Sequence, residues 1–198
     1  MSFETIDYYN RHAAEYAEET VNVDIAALYA EFLPMVKPGG HILDAGCGSG
    51  RDAGYFKQQG FTVSAFDASA AMAKIASERL HQTVAVHSFE QLDKKETFDG
   101  IWCCASLLHV ADKALPDVFS RLQRALKPNA VLYASFKYGD GERSKDGRNF
   151  TDMNEPKLAK LVADIAGLTL SKTWLTQDKR PQRSDEMWFN ALLKKDAV

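Results

Sequence analysis

The clearest chemical signal in the sequence is a run of three alternate glycines, Gly46, Gly48 and Gly50, which follows a short apolar stretch ending at Asp44. Glycine lets the backbone turn tightly and lets a ligand approach without meeting a Cβ atom. A helix that begins after such a turn offers unpaired N–H groups and a partial positive charge to that ligand. The run therefore predicts a nucleotide-like cofactor. The alternative is a tight turn between a strand and a helix that holds no ligand.

The spacing of these glycines separates two classes of cofactor. A dinucleotide-binding turn has the pattern G-x-G-x-x-G, and Arg51 stands where its last glycine would be. Asp67 follows Asp44 by 23 residues, at the predicted end of the second strand. A carboxylate at that place can accept hydrogen bonds from the hydroxyls of a ribose. The pattern favours an adenosine-containing ligand, and a nicotinamide-dependent oxidoreductase is disfavoured by Arg51.

The elements that position these residues follow a regular alternation. From residue 41 onward, short β-branched or aromatic runs alternate with longer amphipathic ones, as expected of βα units on a parallel sheet. Seven strands are predicted, at residues 41–44, 61–66, 84–87, 98–104, 130–136, 168–175 and 186–193. The last two strands are close enough to form a hairpin. Helices are predicted over residues 5–36 (one or two), to about residue 59, after Ser69, over 112–126 and over 155–166.

The composition is that of an ordinary folded domain. The chain has 198 residues, 45% hydrophobic and 26% charged, and 24 Lys and Arg against 27 Asp and Glu give a net charge of −3. This balance argues against a protein that coats nucleic acid or an anionic membrane. The first residues lack the features of a signal peptide, and no apolar run is long enough for a membrane span. We expect one cytoplasmic domain, a monomer or homodimer, that acts on a small molecule.

Three parts of the chain together resemble motifs of a known family. Residues 42–50, Asp67 and residues 98–106 are similar to motifs of the class I S-adenosylmethionine-dependent methyltransferases, and the resemblance covers about residues 5–198. It implies an α/β fold with three layers, in which a Rossmann-like, doubly wound sheet of seven strands has its last strand antiparallel. The strand count and the terminal hairpin agree with this expectation.

A finer resemblance concerns the branch of that family. Residues 8–11 with Tyr16, and residues 105–110, resemble the small-molecule branch that includes tellurite-resistance-like methyltransferases. The expected organisation is a single domain, with residues 1–36 as a helical lid and residues 37–198 as the cofactor-binding core.

The resemblance also implies which residues hold S-adenosylmethionine, whose spent form is S-adenosylhomocysteine. Asp67 would bind the ribose, Asp44 would order the glycine turn, and two lid tyrosines would close over the pocket. The Asp that the family usually has after the third strand is absent, which leaves the adenine contact to neighbouring side chains or the backbone. The implied set is Tyr9, Tyr16, Asp44, Gly46, Cys47, Gly48, Gly50, Asp67, Ala68, Met72, Ser88, Phe89, Glu90, Ala105 and Ser106.

Methyl transfer is an in-line displacement with a neutral leaving group, so positioning matters most. A hydroxyl or ammonium acceptor needs a general base, whereas a thiolate, carboxylate or oxyanion does not. His109, which follows the fourth strand, is the candidate for a catalytic base; the alternative is a histidine that only packs and hydrogen-bonds there. Cys103 and Cys104 lie in an apolar strand, where core packing is favoured over a nucleophilic role. No metal site is predicted.

Two polar loops, over residues 137–148 and 178–186, are expected at the carboxyl edge of the sheet. Their arginines could form a fork for an anionic acceptor, because guanidinium pairs bidentately with oxyanions. The alternative is that each arginine pairs with a nearby acid on a solvated surface. The candidate substrate-binding residues are Arg143, Arg148, Arg180 and Arg183.

Two other functions stay open on the sequence. One is a sensor or scaffold that binds the cofactor without transferring a methyl group, because no general base is evident. The other is a nucleic-acid methyltransferase of the same fold, which the acidic balance and the lack of an Asn or Asp followed by two prolines after the fourth strand disfavour.

Overall fold

The structure, a computed structural model, describes residues 1–180, 183 and 185–197. The helices are α1 (Phe3–Arg11), α2 (Ala13–Val21), α3 (Ala26–Phe32), α4 (Arg51–Gln58), α5 (Ala70–Leu80), α6 (Leu115–Ala125) and α7 (Glu155–Ala163). The strands are β1 (His41–Ala45), β2 (Thr62–Asp67), β3 (Ala85–Val86), β4 (Phe98–Cys103), β5 (Leu126–Lys137), β6 (Glu142–Lys145), β7 (Arg148–Thr151), β8 (Leu168–Gln177) and β9 (Met187–Lys195). Within the described residues, none of these helices combines the length and apolar character needed to cross a bilayer.

Seven of these strands form one sheet, in the order β3-β2-β1-β4-β5-β9-β8. The pairs among β1 to β5 are parallel, whereas β9 runs antiparallel to both β5 and β8. The predicted sheet of seven strands with an antiparallel last strand is therefore confirmed. The strand order reverses between β1 and β4, and open α/β sheets bind their ligands beyond the carboxyl ends of the strands at such a point.

A hydrophobic core lies on each face of the sheet, so the protein has three layers. On one face, α6 and α7 pack through side chains such as Phe119 and Leu158. On the other, α3, α4 and α5 pack through Phe32, Phe56 and Ala76. Because helices cover both faces, the central strand β4 is apolar on both, as its sequence predicts.

Three helices, rather than the one or two expected, precede the sheet. The last of them, α3, belongs to the core: a Cβ atom on Gly100 of β4 would lie 2.9 Å from side-chain atoms of both Phe32 and Val36. Residues 26–36 are therefore packed against the sheet. By contrast, α1 and α2 lie across α5, and α1 also contacts β7. Residues 23–25, 27 and 28 line a cavity at the edge of the sheet. The helical lid over residues 1–36 stays a prediction.

The prediction of one polar loop over residues 137–148 is wrong. Strand β5 runs on to the start of this segment, and β6 and β7 then form a two-stranded antiparallel sheet in which Lys145 pairs with Arg148. Between them, Asp146 and Gly147 have φ of +53° and +75°. Two consecutive residues with positive φ make the turn that suits a two-residue hairpin, and Asp-Gly is a common sequence for it. The signal was present in the sequence.

Other boundaries shift by a few residues. Strand β5 begins at Leu126 instead of residue 130, and Asn129 takes a positive φ of 64° within it. The pairing of β4 with β5 is irregular there, between Phe98 and Gly100. The segment Lys127-Pro128-Asn129, between the predicted helix and strand, is therefore a distortion at the start of β5.

Candidate active site

The turn after β1 has a shape that glycine permits. Gly46 has φ +74°, and a Cβ atom there would lie 2.5 Å from Ser106 Cβ. The backbone N–H groups of Gly46 and Cys47 donate to the carbonyl oxygen of Phe66, at 2.9 and 3.0 Å, which fastens the turn to the end of β2. Gly50, at φ +76°, is the residue before α4. The turn exposes backbone where a ligand can approach closely.

Asp67 stands beside this turn at the end of β2. Its Oδ2 accepts the N–H of Gly48 at 2.9 Å, and its Oδ1 accepts the N–H of Ser69 at 2.8 Å. Burial raises the pKa of Asp67, and the backbone donors oppose that shift. Each oxygen of a carboxylate has capacity for a second donor. Asp67, the residue predicted to bind a ribose, is therefore fixed in place and can still accept hydrogen bonds from hydroxyl groups.

Asp44 lies beneath the turn and is buried. Its Oδ2 accepts the N–H of Ala53 at 3.0 Å, in the first turn of α4. Burial raises the pKa of Asp44, and the nearby charge of Asp52 adds to that effect. In this structure Asp44 orders the start of α4, while Asp67 holds the glycine turn by its backbone.

Asp52 joins three elements and was not singled out by the sequence. It accepts hydrogen bonds from Tyr29 Oη at 2.7 Å and from Trp102 Nε1 at 2.8 Å, and it pairs with Arg51. Arg51 also donates to the carbonyl oxygen of Thr20 at 3.0 Å. These bonds tie α4 to α2, α3 and β4. The available signal was an acid in the first turn of the helix that follows the glycines.

A cavity runs from the glycine turn past Asp67 to the start of α5, and we call it the Asp67 cavity. Asp44 and Cys47 line a neighbouring cavity instead. Gly50 and Glu90 line neither: Glu90 Oε1 accepts the amino group of Met1 at 2.7 Å. The predicted cofactor residues that line the Asp67 cavity are Tyr9, Tyr16, Gly46, Gly48, Asp67, Ala68, Met72, Ser88, Phe89, Ala105 and Ser106.

Helix α1 is attached to α5 through Asn10. The Oδ1 atom of Asn10 accepts from Ser69 Oγ at 2.7 Å and from the N–H of Ala71 at 3.2 Å, at the N-terminus of α5. Tyr9 and Tyr16 pack edge to face, with ring centres 5.1 Å apart. Both tyrosines line the Asp67 cavity and its neighbour. The first two helices therefore cover the site, with Asn10 as their attachment.

His109 is buried between the two cavities and lines both. Its Nδ1 lies 2.7 Å from the carbonyl oxygen of Asn149, so Nδ1 carries the proton. Its Nε2 then accepts from Tyr9 Oη, at 2.8 Å. Burial lowers the pKa of His109 to about 4. The N–H of Asn149 donates in turn to Thr5 Oγ1 of α1, at 3.0 Å. His109 is thus a neutral, packed residue that also reaches the site.

The neighbouring cavity, which we call the Arg148 cavity, meets the Asp67 cavity at the glycine turn. Aromatic and apolar side chains line it. Five basic residues from the two segments expected near an acceptor, 137–148 and 178–186, also line it within the described chain: Lys137, Arg148, Lys179, Arg180 and Arg183. Six residues line both cavities: Tyr9, Tyr16, Gly46, Gly48, Ala105 and His109.

One wall of the Arg148 cavity is an ion cluster around Asp178. Lys137 Nζ donates to Asp178 Oδ2 at 3.0 Å and also pairs with Glu186. Arg180 donates through Nε and Nη2 to the two oxygens of Asp178, at 2.9 and 2.6 Å, and Trp188 Nε1 donates at 3.1 Å. Burial opposes ionisation of Asp178, but these donors hold its pKa well below its usual range. The carboxylate is fully paired.

Three of the four candidate arginines line one cavity, and the fourth does not. Arg143 pairs with Asp152 at 3.0 Å on the surface and lines neither cavity. It therefore matches the alternative of a surface ion pair, because β6 carries it away from the sheet edge. Arg148, Arg180 and Arg183 do line the Arg148 cavity. Residues 181, 182 and 184 of the last loop lie outside the described residues.

Cys103 ends β4 in the core, whereas Cys104 follows it, is half-buried and lines the Arg148 cavity. Cys103 has no exposed surface. Burial raises the pKa of Cys104 to about 12, so it is a neutral thiol near pH 7. A thiolate is the nucleophilic form of cysteine, and this environment supports the interpretation that both cysteines pack.

Comparison with known proteins supports a methyltransferase site. Residues 42–129 match the family described as a methyltransferase domain. Over 97 residues the chain is 33% identical to malonyl-[acyl-carrier protein] O-methyltransferase of Salmonella typhimurium, a stretch that covers 46% of this chain and 36% of that protein. The match thus spans little more than a third of that relative's length.

Two solved structures are similar over nearly the whole chain. One is 1,6-didemethyltoxoflavin-N1-methyltransferase of Burkholderia thailandensis with bound 1,6-didemethyltoxoflavin and S-adenosylhomocysteine (TM-score 0.75, 25% identity, 96% of this chain and 85% of that one). The other is magnesium protoporphyrin IX methyltransferase of Synechocystis PCC 6803 with bound S-adenosylmethionine (TM-score 0.73, 20% identity, 99% and 98%). The finer resemblance to the tellurite-resistance-like branch stays a prediction.

Proposed function

Because the chain carries a class I S-adenosylmethionine-dependent methyltransferase domain, we propose that it transfers a methyl group from S-adenosylmethionine to a small, anionic acceptor. The observation that carries this proposal is the junction of the two cavities at the glycine turn. The Asp67 cavity would hold the cofactor and the Arg148 cavity the acceptor. Methyl transfer needs the two ligands to meet in line, and positioning them is the main task of the protein.

The residues present fit this cofactor. A Cβ atom on Gly46 would collide with Ser106, so only glycine lets the turn lie this close to the cavity wall. Asp67 has capacity for two ribose hydroxyls. Met72 and Phe89 line the Asp67 cavity and offer apolar surface to the adenine. The Asp that the family usually has after the third strand is absent from this chain. When bound, the cofactor supplies an electrophilic methyl group on a sulfonium, whose departure leaves a neutral thioether. No residue has to protonate that leaving group.

Tyr9 and His109 could remove a proton from the acceptor. His109 Nε2 is unprotonated and accepts from Tyr9 Oη, whose lone pairs stay available to a further donor. A hydroxyl acceptor could give its proton to Tyr9 Oη as the proton of Tyr9 passes to His109 Nε2. This assigns His109 the role of the base that receives the proton, with Tyr9 between it and the acceptor. An acceptor that is already an anion would not use this path.

Calorimetric titration with S-adenosylmethionine and S-adenosylhomocysteine, with NAD as the control, tests the cofactor half of the proposal. We expect micromolar binding of the first two ligands and none of NAD. The acceptor half is tested by following S-adenosylhomocysteine formation with a panel of small acids, phenols, amines and thiols. Tight cofactor binding with no turnover on any acceptor would support the cofactor-binding sensor instead.

A further inference from the structure

Arg148 is a buried arginine with an unused hydrogen-bond donor at Nε within the described part of the chain. Its side chain is 7% exposed. The guanidinium carbon lies 4.2 Å from the ring centre of Tyr8, and Nη2 lies 3.5 Å from Asp146 Oδ2. A buried donor that lacks a partner costs free energy. Arg148 lines the Arg148 cavity, so a ligand there can supply the missing acceptor.

Two other buried or half-buried arginines show what the Nε and Nη2 atoms of a guanidinium bind in this protein. Arg180 uses Nε and Nη2 together on the carboxylate of Asp178. Arg51 uses the same two atoms on the carboxylate of Asp52. In both cases a carboxylate of the chain occupies the fork. Arg148 has no such carboxylate on Nε, although its side chain is the least exposed of the three.

We infer that Arg148 binds a carboxylate group of the methyl acceptor through its guanidinium. This inference rests on the proposed function and names the class of its substrate: a small carboxylic acid. The planar fork of arginine matches two carboxylate oxygens. The ring of Tyr8 lies against the guanidinium and limits its movement.

Acidic and basic side chains both line the Arg148 cavity, and Asp178 there already engages Lys137 and Arg180. Arg148 and Tyr9 line the same cavity, and the charge of Arg148 opposes the rise that burial causes in the pKa of Tyr9. The carboxylate would therefore orient the acceptor next to Tyr9 and His109.

The test compares acids with their neutral amides on protein saturated with S-adenosylhomocysteine. The probes are acetate and acetamide, benzoate and benzamide, and nicotinate and nicotinamide, each titrated by calorimetry. We expect at least one acid to bind at least about tenfold more tightly than its amide, since hydrogen bonds to charged groups are the stronger ones. In Arg148→Gln that preference should fall to near unity, and in Arg148→Lys it should be intermediate.

Arg124→Gln is the matched control, because Arg124 pairs with Asp93 on the surface and lines neither cavity; it should keep the full preference. The readout is a ratio within one variant, so a general loss of stability cancels, and Arg148→Lys serves if Arg148→Gln does not fold. Equal binding of acid and amide by the wild type, no binding of any acid, or a preference that survives Arg148→Gln would each overturn the inference. Failure to bind S-adenosylhomocysteine would instead overturn the proposed function.

Discussion

At the scale of single residues, the environment of a group decides its protonation. Burial keeps His109 neutral, and the carbonyl oxygen of Asn149 fixes which nitrogen carries its proton. Asp178 stays ionised because its partners outweigh the cost of burial. A neutral His109 can take up a proton, and an ionised Asp178 can hold basic side chains in place.

Replacing Asp67 tests the cofactor contact most directly. Asp67→Ala removes the acceptor for two backbone N–H groups and for the ribose hydroxyls, and should weaken S-adenosylhomocysteine binding by about 1–3 kcal/mol. Calorimetry on this variant measures the loss. Asp93→Ala, which removes an exposed carboxylate paired with Arg124, is the control and should bind as the wild type does. Unchanged affinity in Asp67→Ala would contradict the ribose assignment.

The ionisation of His109 predicts a pH dependence of stability. Its pKa is about 4 in the folded chain against 6.5 for an ordinary histidine. Between these values the unfolded chain binds a proton that the folded chain does not, so the free energy of unfolding falls as the pH falls. The stability from this group is present above pH 6.5 and is lost toward pH 4, with a total of about 3 kcal/mol.

Urea unfolding of the wild type and of His109→Asn at pH 7, 5.5 and 4.5 measures this effect. The contribution of the carboxylates, which both proteins retain, cancels in the difference between their free energies of unfolding. We expect the wild type to lose more stability than the variant as the pH falls. Parallel curves for the two proteins would show that His109 ionises normally.

At the scale of elements, one side chain attaches the cover to the core. Asn10 of α1 caps the N-terminus of α5 jointly with Ser69, two residues after Asp67, the proposed ribose contact. The attachment point of the cover is thus part of the wall of the Asp67 cavity. We therefore expect movement of α1 and binding of the cofactor to influence each other.

Removing that attachment should affect rates more than stability. Asn10→Ala deletes an acceptor for two donors at the edge of the molecule, and we expect S-adenosylhomocysteine to dissociate several-fold faster. Stopped-flow displacement measures the rate constant. Asn22→Ala, at the C-terminal end of α2, is the control and should leave the rate unchanged. Equal dissociation rates in Asn10→Ala and the wild type would show that α1 does not retain the cofactor.

Elements of strong periodicity could be predicted from the sequence, and so could the glycine turn. The hairpin of β6 and β7 could also have been predicted, because Asp146-Gly147 is a recognised turn signal. The hydrogen bonds of Asp52 and the pairing of Tyr9 with His109 could not, because they join residues 50 and 100 positions apart. Such contacts depend on the packing of the whole sheet and leave no local pattern.

At the scale of the whole molecule, the site lies where the sheet changes direction. The glycine turn follows β1 and Ala105 follows β4, and these are the two strands between which the order reverses. Each core packs against one face of the sheet, so the turn and the residues proposed to contact the cofactor rest on both cores. A ligand bound there stabilises the folded chain as a unit.

Thermal unfolding with and without ligand measures that stabilisation. At one hundred times its Kd, S-adenosylhomocysteine should add about 2.7 kcal/mol, which corresponds to a rise in Tm of roughly 5–10 °C for a chain of this size. NAD at the same concentration should leave Tm unchanged. A rise with NAD and none with S-adenosylhomocysteine would place the chain with another class of cofactor.

The short path from the cover to His109 has a kinetic consequence. Thr5 of α1 holds the backbone N–H of Asn149, and the carbonyl oxygen of the same residue holds His109. If α1 lifts to release the spent cofactor, it must also let go of the hairpin that walls the other ligand. We therefore expect an occupied acceptor pocket to raise the affinity for the cofactor, and by reciprocity the cofactor to raise the affinity for the acceptor. We also expect ordered turnover with S-adenosylhomocysteine leaving last, which product-inhibition patterns would report.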